Sequence, residues 1–285
     1  MDATGPNAEQ ITYWNDQSGP KWVARQDQLD RQLAQFGEAV MDALGVAPGQ
    51  RALDVGCGCG DTTIALAKRV GPSGRARGVD ISQPMLARAR ERAAEAGLAN
   101  VRFDAADAQT HAFEPRSTDV VFSRFGVMFF ADPTAAFTNL RGALADGGRV
   151  GFVCWQPLPE NSWMRVPIMA AAQHLTLPPP PAPGTPGPFS FADRDRVGGI
   201  LAGAKLRDVA FTSFTPSLEV GGGGGGLDDA VEFILQLGPM AAVLREAPAS
   251  ALPKVTEAVR EALAPYTTPR GVVMSSAAWI VTARA

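Results

Sequence analysis

The sequence predicts an α/β fold built on one doubly wound, Rossmann-like sheet, and three observations lead there. Short apolar runs alternate with helix-length amphipathic stretches from Arg51 to Trp155, the pattern of parallel strands joined by right-handed crossovers and covered on both faces. A glycine-rich bend, Gly56-Cys57-Gly58-Cys59-Gly60, follows the first of those runs, at the point where such a sheet opens its binding crevice. Proline and glycine gather in two clusters, seven prolines between Pro178 and Pro188 and six glycines from Gly221 to Gly226. Each cluster interrupts the alternation, the first as a semi-rigid extended loop and the second as a flexible one.

The elements follow in order. From Lys21 to Leu44 the apolar residues Trp22, Leu29, Leu33, Phe36, Val40 and Leu44 share one helical face, with Gln26 interrupting the stripe. Arg51 to Val55 reads as a short buried strand. Asp61 and the run to Val70 read as an N-capped helix, closed by Gly71-Pro72. A strand at Arg75 to Asp80 leads to a helix capped by Ser82, with Pro84 in its first turn and Gly97 beyond its end. Strands at Val101 to Ala105 and Asp119 to Ser123, a helix from Pro133 to Ala145 and a strand at Arg149 to Trp155 complete the alternating half. Beyond it come a helical stretch at Asn161 to Leu177, the proline-rich loop, a helix at Arg194 to Gly203 and a strand at Leu206 to Phe214. Two further helical stretches, Asp228 to Glu246 and Leu252 to Leu263, precede one last strand over Gly271 to Ala283. The economical arrangement is one sheet with a helical cap inserted after the fifth strand and again before the last.

Composition excludes several classes. Over 285 residues, 46% hydrophobic and 19% charged content describes a globular chain able to bury a core. The formal charge of −3 gathers no phosphates, so nucleic acid is not an expected partner. No run reaches the 18 to 20 or so apolar residues of a membrane span, and the polar start Met1 to Gln10 lacks the layout of a signal peptide. The expectation is a cytoplasmic protein. Cys57, Cys59 and Cys154 are too few for a disulfide framework and one short of a structural zinc set, so no metal is expected.

The glycine bend departs from a dinucleotide fingerprint, because Asp61 stands where the third glycine of that pattern belongs. Charge points the same way. The bend lies between Asp54 and Asp61, with no Lys or Arg between Arg51 and Lys68, so a pyrophosphate would meet repulsion. S-adenosylmethionine carries a sulfonium, an ammonium and one carboxylate but no phosphate, and suits an acidic loop. Asp80 ends the second strand about 20 residues past the bend, the offset at which a carboxylate reaches ribose hydroxyls, although that spacing also fits NAD. Ile81 and Met85 could flank an adenine face, and Asp107, in Ala106-Asp107-Ala108, could accept from the adenine amine.

In these segments the chain resembles the class I S-adenosylmethionine-dependent methyltransferases, in the branch of ubiquinone/menaquinone-type small-molecule enzymes. The resemblance is carried by Ala52-Leu53-Asp54-Val55-Gly56-Cys57-Gly58-Cys59-Gly60, Val79-Asp80-Ile81-Ser82, Ala106-Asp107-Ala108, Phe122-Ser123-Arg124-Phe125 and Leu144-Ala145-Asp146-Gly147-Gly148. It implies a seven-stranded sheet in the order 3-2-1-4-5-7-6 with the seventh strand antiparallel. It also implies Gly56, Gly58 and Gly60 against the methionine portion, Asp80 at the ribose and Asp107 at the adenine. Tyr13-Trp14-Asn15 through Trp22 resembles the lid of that branch. The organisation expected on this basis is a helical lid over 1–45, a cofactor-binding core over 46–155, a cap insertion over 156–190, a core helix and strand over 191–214, a second cap insertion over 215–268 and a final core strand over 269–285. The cap is richer in Pro and Gly than the family pattern. Ser123 to Phe130 lacks the Asn-Pro-Pro-Tyr type of signature of enzymes that methylate base amines.

The expected cofactor-binding set is therefore Trp14, Trp22, Asp54, Gly56, Cys57, Gly58, Gly60, Asp80, Ile81, Met85, Asp107, Ala108, Ser123 and Arg124. Several have blander readings. Trp14 and Trp22 also suit packing of the first helix, Cys57 and Cys59 suit small fillers of a tight loop, and Arg124 could pair with Asp54 instead of a ligand carboxylate. His111 and His174 read first as structural side chains, and neither is assigned as a base. Phe125, Met128, Phe129 and Phe130, with Trp155, Trp163 and Met164 at the cap entrance, favour an uncharged, ring-like acceptor. The expected function is methyl transfer to a small, largely apolar or ring-containing molecule. The rivals are an NAD(P)-dependent oxidoreductase on the same scaffold and a cofactor-binding regulator without turnover. Acceptor atom and oligomeric state are not legible.

Overall fold

The computed structural model describes residues 2–245 and 247–285. The amino-terminal region comprises α1 (Ala8–Thr12), one wider turn, α2 (Ser18–Ala24) and the long α3 (Gln26–Ala43). The single helix expected from Lys21 to Leu44 breaks at Arg25, whose ψ of 17° leaves the helical region. The break lets α3 bury Leu29, Leu33, Phe36 and Val40 against the sheet while α2 swings over α5. The alternating half is β1 (Arg51–Val55), α4 (Asp61–Val70), β2 (Arg75–Asp80), α5 (Gln83–Glu95), β3 (Val101–Ala105), β4 (Thr118–Arg124), α6 (Pro133–Ala143) and β5 (Leu144–Trp155). Then come α7 (Ser162–Ala171), α8 (Arg194–Gly203), β6 (Arg207–Phe214) and β7 (Ser217–Glu219). The chain closes through α9 (Leu227–Gln236), α10 (Gly238–Arg245), α11 (Leu252–Leu263), β8 (Thr267–Thr268), β9 (Gly271–Ser275) and β10 (Ala278–Arg284).

The main sheet runs β3-β2-β1-β4-β5-β10-β6. Its first five strands are parallel, and β10 is antiparallel to both β5 and β6. Counted as strands of this sheet, the order is 3-2-1-4-5-7-6. The buried runs of β1, β4 and β5, with Leu53, Val121, Phe122 and Val153 at 1% exposure or less, are those of strands covered on both faces.

Three further details depart from the sequence reading. The helix expected over Asp228 to Glu246 is two, α9 and α10. Gly238 lies at φ +66° and Pro239 follows it; proline has no N–H to continue a helix and disfavours helical backbone before it. The last strand is also two. At Ser276-Ala277 the chain leaves a small sheet, β7-β9-β8, and enters the large one. Fully buried Asn161 holds that corner, its Oδ1 accepting from Ala277 N–H at 2.9 Å and its amide donating to Ala277 C=O at 3.1 Å. Finally, α7 ends at Ala171, well before Leu177. The helices α7, α9, α10 and α11 pack on one another as a cap beside the carboxyl ends of the parallel strands.

Candidate active site

At the end of β1 the chain turns so tightly that side chains are excluded. Gly56 has φ +70°, and a Cβ there would lie 2.8 Å from the Cα of Gly126, which follows β4. Gly60, at φ +84°, opens α4 against Phe103 and Ala89, each 2.9 Å from where its Cβ would stand. The bend is fastened from three sides. Gly56 N–H donates to Val79 C=O at 2.9 Å, Gly58 N–H donates to Asp80 Oδ2 at 2.8 Å, and Ser123 Oγ donates to Val55 C=O at 2.7 Å. Asp61 is the first residue of α4, not its cap. Its carboxylate instead pairs with Arg124.

Asp54 is fully buried under the bend, where Oδ2 accepts from the hydroxyls of Thr62 and Thr63 at 2.7 Å each and Oδ1 has no partner. Burial pushes its carboxyl up to about 6, against the pull of the two hydroxyls. Arg124 does not pair with Asp54. Its guanidinium reaches Asp61 at 2.9 Å and Asp30 at 3.6 Å, and Arg92 joins the same group through Asp30 at 2.9 Å. Burial, reinforced by the neighbouring Asp61 charge, raises the Asp30 carboxyl despite its two arginines. The charges above the bend are thus engaged with one another.

On the other side, Asp80 accepts from Ser82 N–H through Oδ1 at 2.8 Å, and burial raises its carboxyl too. Ser82 stands at the start of α5, but its hydroxyl donates to Trp14 C=O at 2.8 Å instead of capping the helix. Asn15 adds a second tie, donating to Ile81 C=O at 3.0 Å and accepting from Gln83 N–H at 2.9 Å. A third lies deeper. The Asn7 amide, 4% exposed, donates to both oxygens of Asp107 and to Gln109 Oε1, each at 3.0 Å, and Asn7 Oδ1 accepts from Ala131 N–H at 2.8 Å. Trp14 meets Trp22 and Phe129 edge to face, with ring centroids 5.7 and 5.2 Å apart.

These elements enclose a cavity of about 1010 Å³. Eleven of the fourteen expected residues line it: Trp14, Trp22, Gly56, Cys57, Gly58, Asp80, Ile81, Met85, Asp107, Ala108 and Arg124. Asp54, Gly60 and Ser123 stand behind the wall and shape it. Sequence reasoning passed over Gln26, Asp30 and Asn7, which also line it. The signal for the first two was there: Gln26, read as an interruption of the stripe, donates to Asp30 one turn on at 2.6 Å. Neither histidine reaches the cavity. His174 is exposed, and His111 lies 3.0 Å from the Arg77 guanidinium, where burial and that charge lower its pKa. The far half of the cavity is apolar. Phe125, at φ +62°, stacks on Trp155 at 4.1 Å, Trp163 lies 5.4 Å further on, and α9, α10 and the proline-rich loop close the opposite side. Among the described residues no cluster of His, Cys, Asp and Glu could hold a metal ion, and no helix is long and apolar enough to cross a membrane.

Residues 52–148 match the family model of the methyltransferase domain. Aklanonic acid methyltransferase DauC of Streptomyces sp. strain C5 is 34% identical over 145 residues, 50% of this chain and 64% of that protein. Demethylmenaquinone methyltransferase of Staphylococcus aureus is 41% identical over 111 residues, 39% of this chain and 45% of that protein. This chain thus spans less than two thirds of the length of the first relative and less than half of the second. In fold it is similar to the YcgJ protein of Bacillus subtilis, with a TM-score of 0.58 at 16% identity over 88% of this chain and 98% of that one. It is also similar to Haemonchus contortus phosphoethanolamine N-methyltransferase 2 in complex with S-adenosyl-L-methionine, with a TM-score of 0.54 at 22% identity over 87% of this chain and 51% of that one. The match runs from β1 into β5 on a sheet of this order, and it makes residues 52–148 a methyltransferase domain.

Proposed function

We propose that this chain transfers a methyl group from S-adenosylmethionine to a small, largely apolar or ring-containing acceptor. One observation carries the reading: an acidic glycine bend, whose neighbouring cations are engaged in ion pairs, opens directly into an apolar cavity. A diphosphate would add two or more negative charges to a wall where Asp30 and Asp61 already balance Arg92 and Arg124. A ligand with two positive groups and a single carboxylate suits the same wall.

The residues fit that ligand by the chemistry of the groups they turn to the cavity. Gly56, Cys57 and Gly58 present backbone to it, Asp80 keeps lone pairs for hydroxyls, and Ile81 and Met85 offer apolar surface beside them. Asp30 and Arg124 line the cavity as well as pairing with their neighbours, and present opposite charges to an ammonium and a carboxylate. When bound, S-adenosylmethionine supplies an electrophilic methyl group on a sulfonium. The chain's own part is to hold the acceptor in line and to exclude water, and Trp14, Trp22 and Phe129 close the lid for both purposes. The acceptors named for the relatives, aklanonic acid and demethylmenaquinone, support a small-molecule acceptor.

Isothermal titration with S-adenosylmethionine, S-adenosylhomocysteine and NADH tests the reading. Saturable binding of the first two without NADH binding is expected, together with release of S-adenosylhomocysteine when an acceptor is present. Tighter binding of NADH would overturn it. Cofactor binding without turnover in a mixed metabolite extract would make the chain a regulator.

A further inference from the structure

Among the described residues, the titratable groups that line the cavity are engaged with neighbours or held by burial, and none is placed to remove a proton. Asp80 is held by two backbone amides, Asp107 by Asn7, Gln109 and Thr110, and Asp30 by Arg92 and Gln26. Arg124 is paired with Asp61, and Arg245 lies over the Tyr13 ring at 5.4 Å; a guanidinium offers donors and no acceptor. The thiols are no better suited. Burial drives Cys57 well above the ordinary thiol range and pushes Cys59 up to about 12. Tyr13 lies at the lid, its ring edge to face with Trp14 and under the Arg245 guanidinium. Both histidines lie elsewhere. Among the described residues, the half of the cavity bounded by Phe125, Trp155, Trp163 and Met164 contributes no titratable group.

Resting on the methyl-transfer reading above, we infer that the acceptor is a ring-bearing organic acid that arrives ionised, as a carboxylate or as an acidic enol or phenol, and is methylated at the atom that carries its charge. The apolar wall by itself favours an uncharged ring; the want of a base adds one ionised atom on that ring. The step balances without proton transfer. The charged atom's electron pair forms the new bond to the methyl carbon, the carbon–sulfur bond breaks with its pair going to sulfur, and an anion and a sulfonium both become neutral. An apolar, water-poor cavity favours a reaction that destroys opposite charges, because it solvates the separated ions less well than the neutral products. The same pairing offsets the cost of taking the anion out of water.

The test uses the full chain and ring compounds of matched size: 2-hydroxy-1,4-naphthoquinone and 1-naphthoate, ionised at neutral pH, against 2-naphthol and 1-naphthamide. Binding is read by tryptophan quenching with either S-adenosylhomocysteine or sinefungin in place, the latter carrying an ammonium where the donor has its sulfonium. The anions are expected to bind about tenfold or more tightly with sinefungin, as a nearby opposite charge in low dielectric requires, and the amide to show no difference. Release of S-adenosylhomocysteine from at least one anion should stay within about twofold from pH 6 to 8.5, whereas any turnover of 2-naphthol should rise about tenfold per pH unit with its own ionisation. A flat pH profile for 2-naphthol, or equal binding of acid and amide, would overturn the inference. So would S-adenosylhomocysteine binding with no ring acid bound or methylated. Failure to bind S-adenosylhomocysteine would instead remove the reading on which the inference rests.

Discussion

Asp80 engages one backbone amide with each oxygen and still has lone pairs facing the cavity, so its value to a ligand can be separated from its value to the bend. Asp80→Ala should weaken S-adenosylhomocysteine binding by about 10- to 100-fold, the loss of a charge-assisted hydrogen-bond pair, and calorimetry reads this directly. Unchanged affinity would mean that the ribose is held elsewhere. Asp54 makes a different prediction, because its effect is on stability. Its folded carboxyl is raised to about 6, so between about pH 4 and 6 the folded chain keeps a proton that the unfolded chain has released. Stability contributed by this group therefore falls as pH rises through that window and is constant above it, a change on the order of 2 to 3 kcal/mol. Asp54→Asn removes the titration. Urea midpoints measured at pH 4.5 and 8 should show the variant gaining on the parent chain as pH rises, and parallel behaviour would contradict the account. Asp54 and Arg124 also show where sequence reading stops. Charge and spacing put both at the bend, but their partners, Thr62 and Thr63 for one and Asp61 and Asp30 for the other, depend on which atoms the fold brings together.

Among elements, the lid is tied to the core by few but buried contacts. Asn7 satisfies both oxygens of Asp107, and Asn15 and Ser82 fix the turn between α1 and α2. Asn7→Ala leaves Asp107 short of a donor, at a cost of about 1 to 3 kcal/mol confined to this contact. Amide exchange should then speed up through α1 and α2 while the parallel strands keep their protection; uniform protection would show that the lid is held by its aromatic packing alone. The junction of β1 and β4 is intolerant for a steric reason. Gly56→Ala would place a Cβ 2.8 Å from the backbone of Gly126 at φ +70°, and should lower the thermal midpoint where an alanine substitution on the exposed face of α5 does not. The alternating half was legible because each element announces itself locally, through strand runs of five or six residues and glycine or proline stops. The cap was less so. The split of the last strand depends on Asn161, more than a hundred residues away in sequence, and nothing near Ser276 and Ala277 signals it. The break between α9 and α10, by contrast, was written in Gly238-Pro239.

At the scale of the whole molecule, one sheet supplies a rigid acidic bend and the inserted helices supply an apolar room beyond it. The sheet order follows from the resemblance, and the cavity was implied only in outline, by aromatic residues scattered from Trp14 to Trp163. Its closure by α9, α10 and the proline-rich loop is a tertiary fact. A ligand held across that junction should stabilise the folded chain as a unit. At a hundredfold excess over its dissociation constant, S-adenosylhomocysteine should add about 2.7 kcal/mol, seen as a rise of several degrees in the thermal midpoint, and NADH at the same concentration should add nothing. The most direct measurement is a crystal structure of the chain soaked with both compounds. The account predicts S-adenosylhomocysteine alone, with its ribose at Asp80, its amino-acid end between Asp30 and Arg124, and its sulfur facing the space before Phe125 and Trp155. A nicotinamide dinucleotide lying along Gly56 to Gly60 in its place would contradict it.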